Sequence, residues 1–288
     1  MIKTKNLHPS LAAFVQNMMV GNVYYTGING NDAASGKDFK TRMATISAAA
    51  LRLTTLQNDY ILAFGSETGT TSITVSAANA HIIGASMPIG DSMGRGYAYT
   101  CPATVDTIIT GASAHYLEVA NIRFVCHATD HILIDNDAST DSWFHHNTVY
   151  GSTTASDAIR LDLEGARWTI TDNNFVLCKL AIDVAGAAQY IARNHIHDVD
   201  TGAKGVVFGA AAHYSICREN VFNLTGGTGD VGVIIASSAD NIELCYNLFS
   251  ASCSDPISDS GTGTVMHHNY SSAITGTSGA SLQLAIVN

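Results

Sequence analysis

The chain has 288 residues, of which 46% are hydrophobic and 13% are charged, and its formal net charge at pH 7 is −10. The acidic balance, with no basic run, argues against binding nucleic acid through phosphates, because that binding needs clustered Lys and Arg. No run approaches 18 apolar residues, which argues against a membrane-spanning helix and a membrane partner. Charged residues are about half as frequent as usual, so we expect other chains to cover part of the surface.

The N terminus, from Met1 to Lys5, lacks the apolar core and the cleavage site of a signal peptide. The six cysteines form no CxxC pair and no zinc-ligand spacing. We therefore expect buried, reduced thiols in a protein made in a reducing cytoplasm.

Residues 1–21 are predicted to form an N-terminal arm. Apolar residues recur there at positions i, i+3, i+4, i+7 and i+8, the stripe of an amphipathic helix. The stripe, which supplies the candidate partner-binding residues, consists of Leu11, Phe14, Val15, Met18 and Met19. A helix of about twelve residues is marginal alone. We therefore expect it to dock either on the rest of its own chain or on another subunit or larger assembly.

Residues 22–58 are predicted to contain a strand, a turn and a helix over 44–53, with Thr45 or Ser47 as its cap. Further strands are expected over 60–64, 73–75 and 81–84, because short apolar runs there alternate with polar residues. Residues 85–104 are predicted as a loop, since Gly and Pro are frequent there. The third predicted region, 59–288, ends in a strand over 281–287. This strand either caps the fold of its own chain or pairs with a neighbouring chain.

A repeat runs through the second half of the chain, in which an apolar or aromatic pair precedes an asparagine and another apolar residue. The asparagines lie 20 to 27 residues apart and are Asn121, Asn147, Asn174, Asn194, Asn220, Asn247 and Asn269. A period of this length indicates a solenoid, whose repeats bury their apolar faces by stacking. Coils stacked about 4.8 Å apart let these amides form a structural ladder, with each hydrogen bond worth about 1 kcal/mol.

A second motif, a short alternating apolar run, recurs between the asparagines and predicts one more strand per coil. These runs lie at 132–134, 159–161, 182–184, 206–208, 233–235 and 256–257. The predicted fold is all-β, a solenoid of stacked β-coils.

Residues 22–270 resemble the pectate-lyase-like right-handed parallel β-helix proteins. The resemblance rests on a Tyr-containing strand, the turn Gly30-Asn31-Asp32, the helix start Thr45-Ile46 and the strand end at Gly84. It implies a single-stranded right-handed parallel β-helix whose N-terminal helix caps the open end. The family includes pectate lyases, polygalacturonases, bacteriophage tailspikes that cut surface polysaccharide, and non-enzymatic phage virion proteins.

The strand alignment predicts a group of outward carboxylates on two successive coils. It places Ile132 beside Ile159, both facing inward. By alternation, four carboxylates then form a square on the outer face: Asp135, Asp137, Asp162 and Glu164. The expected separations, about 4.8 Å between coils and about 6.5 to 7 Å along a strand, straddle those of glycosidase carboxyl pairs. Like charges this close favour one protonated carboxyl, as a general acid requires.

Three interpretations of this acidic square remain open. The carboxylates are catalytic, or bind Ca²⁺ through their oxygens, or are solvated or part of an interface. Arg160 and Asp183 lie near the same face, and the arginine neutralises part of the charge, which favours the last interpretation. The Asn-Thr-Asp, Asp-Asp, His-Gly and Arg-Ile-Lys series of polygalacturonases is absent from the sequence, which argues against catalysis.

Histidines recur at the repeat positions. The pairs beginning at His145 and His267 each precede a ladder asparagine, and His195 and His197 alternate outward on one strand. Two histidines on a strand need a third ligand to hold a metal, and the sequence shows none nearby. We expect no metal and no cofactor, apart from the Ca²⁺ alternative.

The sequence favours a structural virion protein of a bacteriophage over an enzyme. Such a protein is a capsid decoration (cement) protein or a small spike or fibre. The resemblance implies a homotrimer in the virion that binds other virion proteins such as the major capsid protein. The alternative is a polysaccharide-cleaving glycosidase or lyase of the tailspike type, which uses the outward carboxylates on a surface polysaccharide.

Overall fold

The computed structural model of the chain describes residues 21–85, 97–126, 131–136, 138–151, 159–197, 202–224, 229–253, 255–271 and 282–284. Within these ranges the regular structure is almost entirely strand, with one 3₁₀ turn at Phe39–Thr41 and one short α-helix, α1, at Ile46–Ala50. From Asp59–Phe64 to Asn269–Ser271, successive strands join three sheets in turn, so each coil in that part of the chain contributes one strand to each sheet. The fold is a parallel β-helix, as predicted.

Two of the three sheets have ten strands and the third has eight in the described part of the chain. Sheet 1 consists of Val23–Gly27, Asp59–Phe64, Ala80–Gly84, Glu118–Ala120, Trp143–His145, Thr169–Thr171, Tyr190–Ala192, Ile216–Arg218, Glu243–Cys245 and Val265–His267. Sheet 2 consists of Ser66–Thr68, Tyr97–Thr100, Ile122–Val125, Thr148–Tyr150, Asn174–Val176, His195–His197, Val221–Asn223, Leu248–Phe249, Asn269–Ser271 and Leu282–Leu284. Sheet 3 consists of Ile73–Val75, Ile108–Thr110, His131–Asn136, Ile159–Leu163, Leu180–Val184, Lys204–Phe208, Val231–Ile235 and Asp255–Asp259.

The inward side chains of the three sheets fill the interior. Phe124 stacks on Phe144 of the next coil, with ring centroids 6.1 Å apart. Trp168 is fully buried, and its indole N–H donates to the backbone C=O of Ser139 at 3.0 Å. Because each coil covers the apolar face of its neighbours, stability grows with the stack rather than residing in one coil.

Two glycines of sheet 3 make room for a second aromatic stack. The rings of Phe222 and Phe249 lie parallel, with centroids 4.9 Å apart and an interplanar angle of 7°. A Cβ atom on Gly205 would lie 2.6 Å from the Phe222 ring, and one on Gly232 would lie 2.4 Å from the Phe249 ring. Both distances are far below the usual carbon contact of about 3.5 Å. The missing side chain of each glycine therefore leaves the space that a phenylalanine ring of sheet 2 occupies, Phe222 beside Gly205 and Phe249 beside Gly232.

A column of buried asparagines joins successive coils between sheet 1 and sheet 2. Each side-chain oxygen accepts the backbone N–H of the equivalent residue one coil earlier, at 2.9 to 3.0 Å. Each amide nitrogen donates to a backbone C=O of that earlier coil, at 2.8 to 3.0 Å. The members are Asn147, Asn173, Asn194, Asn220, Asn247 and Asn269. Both ends of each buried amide are satisfied, which fixes the register of the coils.

Two residues of the predicted ladder lie outside it. Asn174 begins a strand of sheet 2 and is half-buried, whereas Asn173 occupies the ladder position. Asn121 is exposed with a φ of 57°, and Ile122 occupies the ladder position instead. The residue before each ladder position has a left-handed backbone, which asparagine tolerates better than most residues. Asn121 occupies that preceding position, directly before Ile122.

The predicted strand alignment was wrong at Ile132. This residue pairs with Arg160 rather than with Ile159, because the register shifts between Ile132 and Ile134. Leu133 and Ile134 are both fully buried. The shift is a β-bulge, which adds a residue to one strand and interrupts the alternation of faces. Beyond Ile134 the register is the predicted one.

The first coil is covered by α1, which packs against the sheet 1 strands at Val23–Gly27 and Asp59–Phe64 and against Ile73–Val75 of sheet 3. The helix is shorter than the predicted 44–53. Thr45 is its N-cap, and its side-chain oxygen accepts the backbone N–H of Ala48 at 3.1 Å. This bond satisfies one of the free N–H groups at the helix start.

Part of the predicted loop over 85–104 is a strand. Tyr97 and Tyr99 are fully buried in Tyr97–Thr100 of sheet 2, because alternating aromatic residues suit a half-buried strand despite the flanking Gly and Pro. Residues 86–96 lie outside the described residues. So do the predicted arm residues Leu11, Phe14, Val15, Met18 and Met19.

The last described strand, Leu282–Leu284, runs antiparallel to Asn269–Ser271 of its own chain. This segment therefore pairs within its own chain, and the two predicted roles, a cap of the solenoid or a contact with a neighbouring chain, stay predictions.

Candidate functional site

The outer face of sheet 3 carries three aspartates in one row, called the aspartate row below. Asp135 pairs in register with Asp162, and Asp162 with Asp183. Each is half-exposed and lies between two buried residues of its own strand, as the alternation of a strand requires. The backbone spacing of about 4.8 Å between paired strands therefore separates neighbouring members of the row.

The structure brings together only part of the predicted square of carboxylates. Asp135 and Asp162 lie side by side, as their expected register implies. Glu164 is exposed just beyond the end of its strand, and Asp137 lies outside the described residues. Asp183 was predicted near the same face but was not one of the four carboxylates of the square, although its position in the Ile-Asp-Val motif repeats that of Asp162.

Aliphatic side chains flank the aspartate row at both ends. Ile109 pairs in register with Asp135, and Val207 pairs with Asp183. Both aliphatic residues are half-exposed. A ligand lying along sheet 3 therefore meets aliphatic surface at each end and carboxylate oxygens between.

A second polar cluster, on the outer face of sheet 1, centres on Glu118. Its carboxylate contacts Nδ1 of His81 at 2.5 Å and Nε2 of His145 at 2.8 Å. Tyr60 stacks on the His81 ring at 4.1 Å, and Trp143 stacks on the His145 ring at 3.8 Å. Burial raises the pKa of Glu118, but hydrogen bonds from His145 and His81 outweigh it and lower that pKa to about 2. The carboxylate is thus held ionised between two imidazoles.

The prediction missed this Glu118 cluster because its members come from three coils of unequal length. His81 lies 37 residues before Glu118, and His145 lies 27 residues after it. The available signal was the alternation of Trp143 and His145 on one strand, which places both side chains outward.

A cleft of about 250 Å³ beside α1 contains two further carboxylates, Asp32 and Glu67. Asp32 accepts the backbone N–H of Thr45 at 2.9 Å and its hydroxyl at 3.0 Å. Glu67 accepts the Tyr97 hydroxyl at 2.5 Å and the backbone N–H of Ile46 at 2.9 Å. Burial raises the pKa of Glu67. These contacts anchor the start of α1, so both carboxylates serve the cap.

His195 and His197 point outward from sheet 2, with their rings stacked at 4.5 Å. Nε2 of His197 lies 2.9 Å from the side-chain oxygen of Asn174. All six cysteines are buried and carry free thiols: Cys101, Cys126, Cys178, Cys217, Cys245 and Cys253. None of the helices in the described part of the chain has the length and apolar character needed to cross a bilayer.

Comparison with protein-family models finds no match, and comparison with curated protein sequences finds none either. Similar solved structures include two of GH136 lacto-N-biosidase from Eubacterium ramulus. The selenomethionine derivative has a TM-score of 0.55 at 12% identity, over 91% of this chain and 58% of the enzyme chain. The native protein has a TM-score of 0.51 at 13% identity, over 91% and 57% of the two chains. This chain thus spans less than two thirds of the length of each enzyme chain, and the likeness shows a shared parallel β-helix fold.

Proposed function

We propose that the chain binds a glycan along the outer face of sheet 3 and hydrolyses a glycosidic bond with the aspartate row. The observation that carries this proposal is the register of Asp135, Asp162 and Asp183 on three successive strands. Glycosidases use two carboxyl groups, about 5 to 5.5 Å apart in retaining enzymes and about 6.5 to 9.5 Å apart in inverting enzymes. Strands about 4.8 Å apart bring neighbouring aspartates closest to the retaining arrangement.

In the proposed mechanism, Asp162 is the nucleophile because it has a carboxyl on each side. It attacks the anomeric carbon while one neighbouring aspartic acid protonates the departing glycosidic oxygen. Water then hydrolyses the glycosyl-enzyme bond, and the same neighbour accepts the proton from that water. The half-exposed aliphatic residues at the ends of the row contact the apolar faces of the sugar rings.

A glycoside hydrolase with the same fold supports this proposal by analogy of fold alone. The predicted role as a homotrimeric structural protein of a phage virion stays a prediction. The two roles are compatible, because a tailspike both belongs to a virion and cleaves surface polysaccharide.

The test is to incubate the full chain with a panel of oligosaccharides and bacterial surface polysaccharides of different linkages, and to detect products by chromatography. We expect cleavage of at least one glycan, and a loss of about 100-fold or more in Asp162→Asn, the size of a lost acid or nucleophile. The matched control is Asp255→Asn, which alters an exposed aspartate at the far end of sheet 3 and is expected to leave the rate unchanged. Full activity in Asp162→Asn would refute the assignment.

The configuration of the first product provides a second test. ¹H NMR of the fresh reaction is expected to show the anomer of the substrate, because neighbouring aspartates favour retention. An inverted product would instead implicate Asp135 and Asp183, which lie two strand spacings apart. Binding of glycans without any product would contradict hydrolysis altogether.

A further inference from the structure

Three chemically different side chains converge near the C-terminal end of sheet 1. Cys245 pairs in register with His267 on the neighbouring strand. Glu243 precedes Cys245 by two residues in the same strand. The carboxylate oxygen, the thiol sulfur and the imidazole nitrogen all lie within 4.8 Å of one another. A carboxylate, a thiol and an imidazole are the three ligand types that zinc uses in proteins.

The carboxylate and the imidazole are about as far apart as two ligands of one metal ion, and the sulfur lies within 4.8 Å of both. Oε1 of Glu243 lies 3.1 Å from Nε2 of His267. In a tetrahedral zinc site, metal bonds of about 2.0 to 2.3 Å place neighbouring ligand atoms roughly 3.3 to 3.6 Å apart. Small side-chain rotations therefore suffice to bring the three atoms onto one ion.

The other ring nitrogen of His267 has a partner as well. Its Nδ1 lies 3.1 Å from Nδ1 of His268, and the His268 ring stacks on Tyr246 at 4.9 Å with an interplanar angle of 6°. A metal-binding histidine usually donates its second N–H to a fixed acceptor, which sets the ring orientation. His268 accepts that proton in the tautomer that leaves its Nδ1 unprotonated, and the contact orients Nε2 of His267 towards Glu243.

The same arrangement without a thiol occurs five coils earlier in sheet 1. There His145 contacts Glu118 at 2.8 Å through Nε2 and His146 at 2.7 Å through Nδ1. The position that pairs with His145 is Ala120, where the later cluster has Cys245. The earlier cluster is thus a natural control, since it has the imidazole and carboxylate and lacks the sulfur.

Access and charge also suit a cation. Cys245 is 2% exposed, whereas Glu243 and His267 are part-exposed, so an ion reaches the thiol from the outer face of the sheet. Arg218 pairs in register with Cys245 on the other side, but its guanidinium donates to Glu219 at 2.6 Å. The acidic partner offsets the repulsion that this arginine exerts on a cation.

We propose that Glu243, Cys245 and His267 bind one divalent transition metal ion of the zinc class, with water in the fourth position. This proposal replaces the expectation of no metal, which judged the cysteines by their spacing along the sequence and the histidines by their own strand, and did not combine residues from different coils. The sulfur ligand favours such an ion over Ca²⁺ or Mg²⁺, which take oxygen ligands. The site is independent of the proposed hydrolysis, because it lies on a different sheet from the aspartate row.

The test uses the full chain, stripped with a chelator and titrated with Co²⁺ under reducing conditions. We expect one equivalent to bind and to produce a thiolate-to-cobalt charge-transfer band, which excess Zn²⁺ removes. Cys245→Ser is expected to abolish the band, and His268→Gln to weaken binding by about 10- to 100-fold, the usual cost of losing the partner of a metal-binding histidine. The control His145→Gln is expected to leave both stoichiometry and band unchanged.

Folding of each variant is checked by circular dichroism, and Glu243→Gln provides a part-exposed substitution that leaves the thiol in place. It is expected to weaken metal binding by at least 10-fold while the far-ultraviolet spectrum stays that of the unaltered chain. X-ray absorption of the zinc-loaded chain is expected to show one sulfur neighbour near 2.3 Å. Failure of the unaltered chain to bind cobalt, or a band that persists in Cys245→Ser, would overturn the proposal.

Discussion

The side-chain oxygen of Asn247 accepts the backbone N–H of Asn220 at 3.0 Å, across 27 residues of sequence. Asn220 makes the same bond to the coil before it, through Asn194 at 2.9 Å. Each buried asparagine of the column therefore fixes the register of its own coil against the coil before it.

Asn220→Ala is expected to lower the free energy of unfolding by about 2 to 4 kcal/mol. The change leaves the N–H of Asn194 and the C=O of Ile191 without their partners in the interior, at a cost of about 1 to 3 kcal/mol each. Urea unfolding followed by circular dichroism measures the loss. The matched control is Asn174→Ala, whose half-buried amide is outside the column and is expected to cost about 1 kcal/mol or less; equal losses in the two variants would contradict the ladder.

Glu118→Gln is expected to flatten the dependence of stability on pH between about 4.5 and 2. The pKa of Glu118 is lowered to about 2 in the folded chain from an ordinary 4.5. Its ionised form therefore stabilises the fold above pH 4.5, and that stabilisation is lost as the pH falls towards 2. The loss is on the order of 2 kcal/mol after allowance for partial exposure.

Denaturant unfolding at several pH values, compared between Glu118→Gln and the unaltered chain, measures this slope. Glu243→Gln, which alters the equivalent carboxylate of the later cluster, is the comparison variant. Identical acid sensitivity of the Glu118→Gln and unaltered chains would show that the two imidazoles do not hold the Glu118 carboxylate ionised.

Gly205→Ala is expected to destabilise the chain by about 1 to 3 kcal/mol, the usual cost of overpacking a core. The new Cβ atom would lie 2.6 Å from the Phe222 ring and 2.5 Å from the backbone oxygen of Gly232. Gly111→Ala is the control, since its Cβ atom would meet nothing closer than 3.6 Å. Thermal unfolding of both variants measures the difference, and an unchanged midpoint in Gly205→Ala would refute the packing account.

Thr45→Ala is expected to cost about 1 kcal/mol of stability, because it removes the side-chain acceptor at the start of α1. Thr45→Ser keeps that oxygen and is expected to stay within a few tenths of a kcal/mol of the unaltered chain. Urea unfolding distinguishes the two. A serine variant as unstable as the alanine variant would mean that the methyl group, rather than the cap, stabilises this end.

The sequence predicted the solenoid well, because stacking imposes a period that survives in the spacing of the asparagines. It did not identify every asparagine of the ladder correctly. At Asn173 and Asn174 two identical side chains adjoin, and only the left-handed backbone of the preceding residue decides which amide turns inward. Asn121 is the residue with the left-handed backbone itself, and the ladder position after it is occupied by Ile122.

Strand alternation accounts for the part of the sites that could be predicted. Asp135 and Asp162 follow the strand alternation, so their pairing was visible in the sequence. The clusters around Glu118 and Glu243 depend on which residues become neighbours across coils of unequal length. The number of residues between equivalent positions varies with the loops, so these contacts needed the three-dimensional register.

The last described strand of sheet 3, Asp255–Asp259, has aspartate at both ends and Pro256 within it. Proline offers no N–H to an incoming strand, and the acidic ends repel a second copy of this edge. The sheet thus resists growing from one molecule into the next. A fold built by repetition would otherwise invite open-ended fibres, and the last described strand of sheet 3 discourages them.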